Sequence, residues 1–349
     1  MEFKDFGKNR KGESATLYIF RNRNGIEMQV SDFGATLHAV LVPDKHCVTR
    51  DVVLGYDEPL GYEGPSRTFF GATIGRNANR IGGASYVYNG RVYHLDKNNG
   101  NNNLHSGFDC WSFRIWNVKE ITEDSITFSL DSPDGDQGFP GNVHVEVRYL
   151  LTADNQIVIQ YYAQPDQDTP INMTNHSYFN LDGHEAGSVR EQELWLDSCS
   201  YTRTTEELIP TGEIVPVEGT PMDFRTMKPI GQDIDADFEQ LNFTGGYDHN
   251  YVTDYYAKGN LREIATAYSE KTGIVMEVIT DCPGVQFYAG NFIEEEPGKN
   301  GHTYEKRHGF CLETQVEPNA VNVEDFHSPI LEAGEIYHSV TMYRFSVKK

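Results

Sequence analysis

The sequence lacks the paired cysteines that cross-link small secreted domains and the long apolar segments that place a chain in a membrane. Its five cysteines are an odd number, widely scattered, and no two form a CxxC pair, so neither a disulfide framework nor a zinc ribbon is indicated. No apolar run approaches the length of a signal peptide or of a membrane span. We therefore expect a cytoplasmic protein in a reducing compartment.

Positive charge is also scarce. The 349 residues carry 29 Lys and Arg against 52 Asp and Glu, a formal net charge of −23 with neutral histidines. Such a surface repels phosphate backbones and anionic lipid. Nucleic acid and membrane partners are therefore disfavoured, whereas a neutral small-molecule substrate is compatible with this charge.

Helical signals are few, and the dominant hydrophobic period is two. Apolar residues alternate with polar ones in residues 125–130, 142–148, 274–279 and 341–345, as strands with one buried face require. Hairpin-type turn clusters lie at residues 23–25, 134–136 and 154–156. Residues 230–238 are the one candidate for a short helix. Since no repeat or linker interrupts the chain, we predict an all-β fold, a large antiparallel β-sandwich with very little helix, in which residues 1–349 form a single domain.

Two ionisable residues stand in settings that suit acid–base chemistry. His176 lies among small polar and aromatic residues, and its ordinary pKa near 6.5 lets it donate or accept a proton at neutral pH. Glu313 follows the apolar run 310–312, which is typical of an inner strand, where partial desolvation raises the pKa of a carboxyl group and improves it as a base. From the residues alone, a structural histidine and an outward-facing glutamate remain open alternatives.

Familiar cofactor motifs are missing. The glycine-rich segment 75–83 has neither GxGxxG nor GxxxxGK[ST] spacing, so a nucleotide role has little support, and an arginine there is either functional or a loop brace. The histidines show no HExxH spacing, and the acidic turn at 131–136 lacks the calcium-loop pattern. We therefore expect no metal and no other cofactor.

Seven segments together resemble the aldose 1-epimerase (galactose mutarotase) family. In chain order they are GRNANRI, NNNLHSG, SPDGDQGFPG, TNHSYFNL, GYDHNYV, GVQFYAGNF and FCLETQVEPNAVN, and they extend over residues 75–322. The resemblance implies a large β-sandwich with a sugar site in a cleft on one face. It also implies an isomerase that interconverts the α and β anomers of free aldohexoses such as D-galactose and D-glucose, by acid–base opening of the sugar ring.

The resemblance also implies roles for individual residues. Glu313 is expected to take the proton of the C1 hydroxyl, and His176 is expected to protonate the ring oxygen. The residues expected to bind the sugar are His105 near the ring oxygen, Arg80 and Asp248 at the hydroxyls, and Asn79, Tyr178 and Gln286 along the pocket wall. An ionised glutamate and a protonated histidine are the starting pair, and their proximity would lower the pKa of the first and raise that of the second.

The sequence departs from the family pattern at two positions, and three other functions remain as alternatives. Ser106 replaces the first glycine of the usual LHGG, and Asn77 replaces an aromatic or aliphatic residue, so both could adjust the pocket and the preferred sugar. The alternatives are a non-catalytic carbohydrate-binding protein, a hexose-phosphate epimerase on the same scaffold, and a glycoside hydrolase with two carboxylates. We expect a small-molecule sugar as the substrate and a monomer or a homodimer.

Overall fold

The protein is built almost entirely of β-strands. The structure, a computed structural model, describes residues 1–349. Its two α-helices are short, α1 (Pro59–Tyr62) and α2 (Glu239–Thr244). Five single 3₁₀ turns occur at Gly82–Ala84, Trp111–Phe113, Asp136–Gly138, Lys299–Gly301 and Ala320–Asn322. None of the helices has the length and apolar character needed to cross a membrane.

Twenty-nine strands make up the β-structure. In chain order they are β1 (Glu2–Lys8), β2 (Ser14–Arg21), β3 (Glu27–Ser31), β4 (Thr36–Pro43), β5 (Thr49–Asp51), β6 (Thr73–Ile74), β7 (Arg80–Ile81), β8 (Ser85–Tyr88), β9 (Arg91–His94), β10 (Asn103–Leu104), β11 (Asn117–Ile121), β12 (Ser125–Ser132), β13 (Val143–Leu151), β14 (Gln156–Pro165), β15 (Thr169–Pro170), β16 (Thr174–Asn175), β17 (Glu193–Leu196), β18 (Ser200–Thr204), β19 (Pro210–Pro216), β20 (Lys228–Pro229), β21 (Asp248–Val252), β22 (Arg262–Tyr268), β23 (Ile274–Thr280), β24 (Gly284–Tyr288), β25 (Glu296–Pro297), β26 (Thr303–Tyr304), β27 (Cys311–Gln315), β28 (Ile330–Leu331) and β29 (Tyr337–Val347).

Three antiparallel sheets hold most of these strands. The largest has nine, in the order β11-β12-β13-β14-β29-β23-β22-β17-β20, and the two others have five each, β1 to β5 in sequence and β19-β18-β21-β24-β27. All pairs of named strands are antiparallel. The predicted all-β antiparallel architecture is therefore confirmed, and the alternating segments form β12, β13, β23 and β29.

The short helix predicted at residues 230–238 is wrong. The segment forms separate turns instead, because the amides of Gln232 and Ala236 donate to the carbonyl oxygens of Pro229 and Asp233, three residues back, both at 3.0 Å. The amides of Ile230 and Gly231, at its start, donate to Gln192 O and Arg190 O at 2.8 and 2.7 Å. A helix of this chain begins just beyond the segment, as α2. The start of the segment is thus anchored to residues 190–192, and the rest continues in turns up to α2.

One hydrophobic core joins the three sheets. A single cluster of 53 buried residues draws side chains from each of them, for example Val40 of β4, Phe287 of β24 and Tyr343 of β29. Strand side chains alternate between two faces. In β24, Val285 and Phe287 enter this core, so that Gln286 points to the opposite face of its sheet. That second face, built from β21, β24 and β27, is buried and polar.

Candidate active site

Neighbouring strands bring two predicted site carboxylates to the polar face of the third sheet. Asp248 begins β21, Glu313 lies in the middle of β27, and Gln286 of β24 stands between them as the cross-strand partner of Glu313. The Nε2 of Gln286 donates a hydrogen bond to Asp248 Oδ1 at 2.7 Å. The antiparallel register therefore fixes the relative positions of groups that are far apart in sequence.

Paired backbone segments carry His176 to the same place. The amide of His176 donates to Ala72 O and its carbonyl accepts from the amide of Gly71, both at 2.9 Å. Two hydrogen bonds between Phe179 and Phe310 then tie this segment to the start of β27. As a result His176 Nε2 lies 3.6 Å from Glu313 Oε2, and these side chains are only 7% and 3% exposed.

His105 is held in a defined tautomer. It follows β10 with a positive φ of 50°, and its Nδ1 accepts the backbone N–H of Asn79 at 3.1 Å. A neutral imidazole that accepts at Nδ1 carries its hydrogen on Nε2. The ligand atoms of His105, His176 and Glu313 all lie within 4.8 Å of one another. Because His105 offers an N–H there and not a lone pair, this cluster suits a polar ligand better than a metal ion.

Arg80 is positioned by the asparagine-rich loop. It lies in β7, which pairs with β10, and its Nε donates to Asn99 Oδ1 at 3.0 Å. Its guanidinium approaches Asp248 Oδ2 at 3.9 Å, and both side chains are 10% exposed. The pair thus presents a donor and an acceptor side by side, an arrangement that suits a vicinal pair of hydroxyl groups.

These groups surround a cavity of about 580 Å³, within the range of small-molecule sites. Its wall is formed by residues 66–69, 79–80, 99–102, 104–105, 176, 178, 206–208, 248, 288, 292–293 and 313. Seven of the eight predicted site residues line it. The eighth, Gln286, lies behind Asp248 and supports it, so the structure brings all eight together but places this one outside the wall.

Burial controls the protonation of the central pair. Desolvation raises the pKa of Glu313 well above its usual 4.5, with the charge of Asp248 adding to the effect and that of Arg80 opposing it. Desolvation also lowers the pKa of His176 from 6.5 to about 4. For Glu313 a raised pKa is the direction that desolvation was expected to give. For both groups the loss of hydration outweighs the attraction between the charged forms that their proximity was expected to add.

Three residues that contact predicted site residues were not themselves predicted. Phe69 and Asn99 line the cavity, and the Sγ of Cys311 lies 3.6 Å from His176 Nδ1. Strand periodicity could have found Cys311, because it lies two residues before Glu313 on the same face. Asn99 lies in an asparagine-rich run, residues 98–103, that overlaps the segment NNNLHSG, whereas Phe69 carries no sequence signal.

The two departures from the family pattern lie in contact with each other, away from the cavity wall. The Oγ of Ser106 accepts the backbone N–H of Asn77 at 2.9 Å and lies 3.2 Å from the carbonyl oxygen of Asn77, to which it donates. Both side chains are buried. The structure thus gives them a part in holding the loop of His105, and neither touches the space that a ligand would fill.

Known proteins resemble this chain over nearly its whole length. The family model of aldose 1-epimerase matches residues 16–344. Galactose mutarotase of Homo sapiens is 40% identical over 325 residues, 92% of either chain, and aldose 1-epimerase of Escherichia coli (strain K12) is 37% identical over 337 residues, 96% of either chain. The crystal structure of an aldose epimerase homologue from C. elegans gives a TM-score of 0.87 at 29% identity, and the match covers 95% of this chain and 99% of that one.

Proposed function

The chain belongs to the aldose 1-epimerase family and is an isomerase, and from this premise we propose that it interconverts the α and β anomers of a free aldohexose such as D-galactose or D-glucose. The observation that carries the proposal is the pair of buried ionisable groups on the cavity wall, Glu313 Oε2 and His176 Nε2, 3.6 Å apart. The reaction needs one group to take a proton and another to give one, and two such groups side by side meet both needs.

In the proposed reaction Glu313 takes the proton of the O1 hydroxyl while His176 gives a proton to the ring oxygen. The C1–O5 bond then breaks, and C1 becomes an aldehyde. Rotation about C1–C2 turns the other face of the carbonyl toward O5, and the same two transfers in reverse close the ring as the opposite anomer. The Oε2 of Glu313 is buried and accepts no hydrogen bond from the protein, so it is available to the sugar hydroxyl.

The proton balance of the pair follows from burial. Burial raises the pKa of Glu313 above that of His176, so a single proton held by the pair resides on the carboxyl group and not on the imidazole. Sugar binding must bring that proton to the imidazole before O1 can be deprotonated. Ring opening then returns the pair to the neutral state that the site favours.

The remaining groups bind the sugar. We propose that Arg80 and Asp248 engage neighbouring hydroxyls, that the Nε2–H of His105 donates toward the ring oxygen, and that Asn79 and Tyr178 complete the wall. Gln286 acts through Asp248, whose carboxylate it orients. Binding of this kind exchanges hydrogen bonds to water for hydrogen bonds to preset partners.

The charge of the wall favours a free sugar over a phosphorylated one. Two guanidinium groups face the cavity, and four carboxyl groups share its wall: Glu206, Glu207, Asp248 and Glu313. A phosphate dianion would be repelled by the carboxylates of Glu206, Glu207 and Asp248, which outnumber the two guanidinium groups. The hexose-phosphate alternative is therefore less well supported than the free aldohexose.

Polarimetry on freshly dissolved α-D-galactose and α-D-glucose tests the proposal. The wild type should speed the approach to anomeric equilibrium, and Glu313→Gln and His176→Asn should each lower turnover by at least about a hundredfold, the usual worth of a general base or acid. Both variants should keep the wild-type circular dichroism spectrum.

The matched control is Glu317→Gln. Glu317 is another buried carboxylate, four residues beyond the proposed base, but it binds His327 and is not on the cavity wall. It should keep near-normal turnover. Near-normal turnover in Glu313→Gln or His176→Asn would remove the role assigned to that residue. A wild type that binds galactose without speeding the spontaneous change of its optical rotation would favour the binding-protein alternative. Release of nitrophenol from a nitrophenyl galactoside would favour the hydrolase.

A further inference from the structure

One strand contacts both nitrogen atoms of the His176 ring. Glu313 lies 3.6 Å from Nε2, and the Sγ of Cys311 lies 3.6 Å from Nδ1. The two residues are separated by one position in β27, so their side chains leave the same face of the strand about 6.5 Å apart. This spacing lets the imidazole fit between them, edge on to the strand.

The faces of the same ring are covered by aromatic side chains. Tyr178 stacks on His176 with ring centroids 5.1 Å apart and an interplanar angle of 25°, and Phe69 lies at 5.9 Å and 30°. These contacts restrain the plane of the ring, and a half-turn about χ2 is the change that keeps this plane. Such a turn would take Nε2 away from Glu313 and put a C–H group against the sulfur.

We propose that Cys311 is a positioning residue for the acid of the reaction: its sulfur accepts a hydrogen bond from Nδ1–H of His176 and so keeps Nε2 as the nitrogen that exchanges the proton. This assignment rests on the proposed function, since it presumes that His176 serves as the acid. The residue itself touches neither the sugar nor the proton that moves.

The direction of this hydrogen bond follows from what the acid must become. An imidazolium that gives its Nε2 proton to the ring oxygen is left neutral only if Nδ1 keeps its own hydrogen. If the thiol donated to Nδ1 instead, loss of the Nε2 proton would leave an imidazolate anion in a buried site, which desolvation opposes. The hydrogen on Nδ1 therefore persists through the whole cycle and needs an acceptor.

A neutral thiol is suited to this place because it is a weak acceptor. A carboxylate at Nδ1 would stabilise the imidazolium and make it a poorer acid. Burial and the charge of Glu313 raise the pKa of the Cys311 thiol well above its usual 9.0, so the group stays uncharged. It can thus orient the ring without holding its proton.

Nitrogen NMR of the histidine rings in the wild-type protein tests the hydrogen bond directly. With His176→Asn used to assign the signal, the neutral ring should show a protonated Nδ1 and an unprotonated Nε2. The opposite tautomer would overturn the proposal. This measurement needs no turnover, so its result is independent of whether the protein acts on galactose.

The functional test compares Cys311→Ala with Cys282→Ala, a matched control that removes another buried thiol away from the cavity. Cys311→Ala should lower kcat by about three- to tenfold, the worth of one hydrogen bond in the transition state, with KM within about twofold of wild type. Its NMR spectrum should show a mixture of His176 tautomers. Cys282→Ala should change neither. Equal kcat in the two variants, or an unchanged tautomer in Cys311→Ala, would overturn the proposal.

Discussion

Two arginines four residues apart, Arg76 and Arg80, should respond in opposite ways to replacement by lysine. Arg80 faces the cavity, whereas Arg76 is fully buried behind it and makes seven hydrogen bonds to six acceptor atoms of the protein. Four of these acceptors are backbone carbonyls, and most belong to the segment 132–141. We predict that Arg76→Lys costs stability and little activity, and that Arg80→Lys costs activity and little stability.

The size of the stability loss can be worked from those contacts. A lysine ammonium has three donors, so at least three of the six acceptors of Arg76 lose their partner. Each buried acceptor left unpaired costs about 1–3 kcal/mol, and relaxation recovers part of this, which leaves a loss of about 3–5 kcal/mol. With an unfolding entropy of about 2.1 cal/mol/K per residue over 349 residues, the Tm should fall by about 4–7 °C.

Differential scanning calorimetry and polarimetry on the same samples measure both effects. We propose that residues 1–349 form one domain, because a single core joins all three sheets, so Arg76→Lys should melt in one transition at the lower temperature. Arg80→Lys should melt like the wild type. It should lose about 10- to 100-fold in kcat/KM, because a hydrogen bond from a charged group is worth about 1.5–3 kcal/mol.

Three results would refute this reasoning. A Tm for Arg76→Lys within about 1 °C of wild type would mean that the buried contacts carry little stability. A loss of turnover shared equally by the two variants would mean that the segment acts as one unit. Two separate melting transitions would contradict the single domain.

Two further predictions concern pH. The kcat/KM profile should be bell-shaped, falling below about pH 4 as His176 takes up a second proton for the pair, and falling on the alkaline side through the raised pKa of Glu313; an acid limb already near 6.5 would mean that burial does not shift the histidine. Asp32→Asn should stabilise the protein at neutral pH by at most about 3 kcal/mol, because burial raises the pKa of Asp32 from 3.8 to about 6. That gain should disappear as the pH falls from about 6 to below 3.8, where the wild-type carboxyl is protonated in both states, and chemical denaturation at several pH values measures it; a wild type more stable than the variant at neutral pH would contradict it.

The positions of several strands were the part of the fold that could be predicted from the sequence. In β12, β13, β23 and β29 a buried face alternates with a more exposed one, and this period is a property of neighbouring residues. The order of the strands within the sheets could not be predicted, because β29, at the end of the chain, pairs with β14 and β23. Such pairings depend on contacts between distant segments.

The site was accessible mainly through the family resemblance. The burial of Glu313 could be inferred from the apolar residues before it, but the proximity of His176 depends on the pairing of segments more than a hundred residues apart. The structural role of Arg76 could not be predicted from the motif that it shares with Arg80, because the partners of Arg76 lie 56 or more residues away. The balance between desolvation and the attraction of the charged pair could not be predicted, because sequence spacing gives no measure of desolvation.

Desolvation is also the effect through which the packing of the site influences its proposed chemistry. In water the ordinary pKa values of 6.5 and 4.5 favour an ionised histidine–glutamate pair over a neutral one by about 2.7 kcal/mol. A pair with those values would lose that much each time it opened a sugar ring, because the two proton transfers leave both groups neutral. Burial reverses the preference between His176 and Glu313, so that the neutral pair is favoured where ring opening produces it. In the proposed reaction the aromatic rings of Phe69 and Tyr178, which pack against the imidazole, therefore act by excluding water as well as by holding the ring in place.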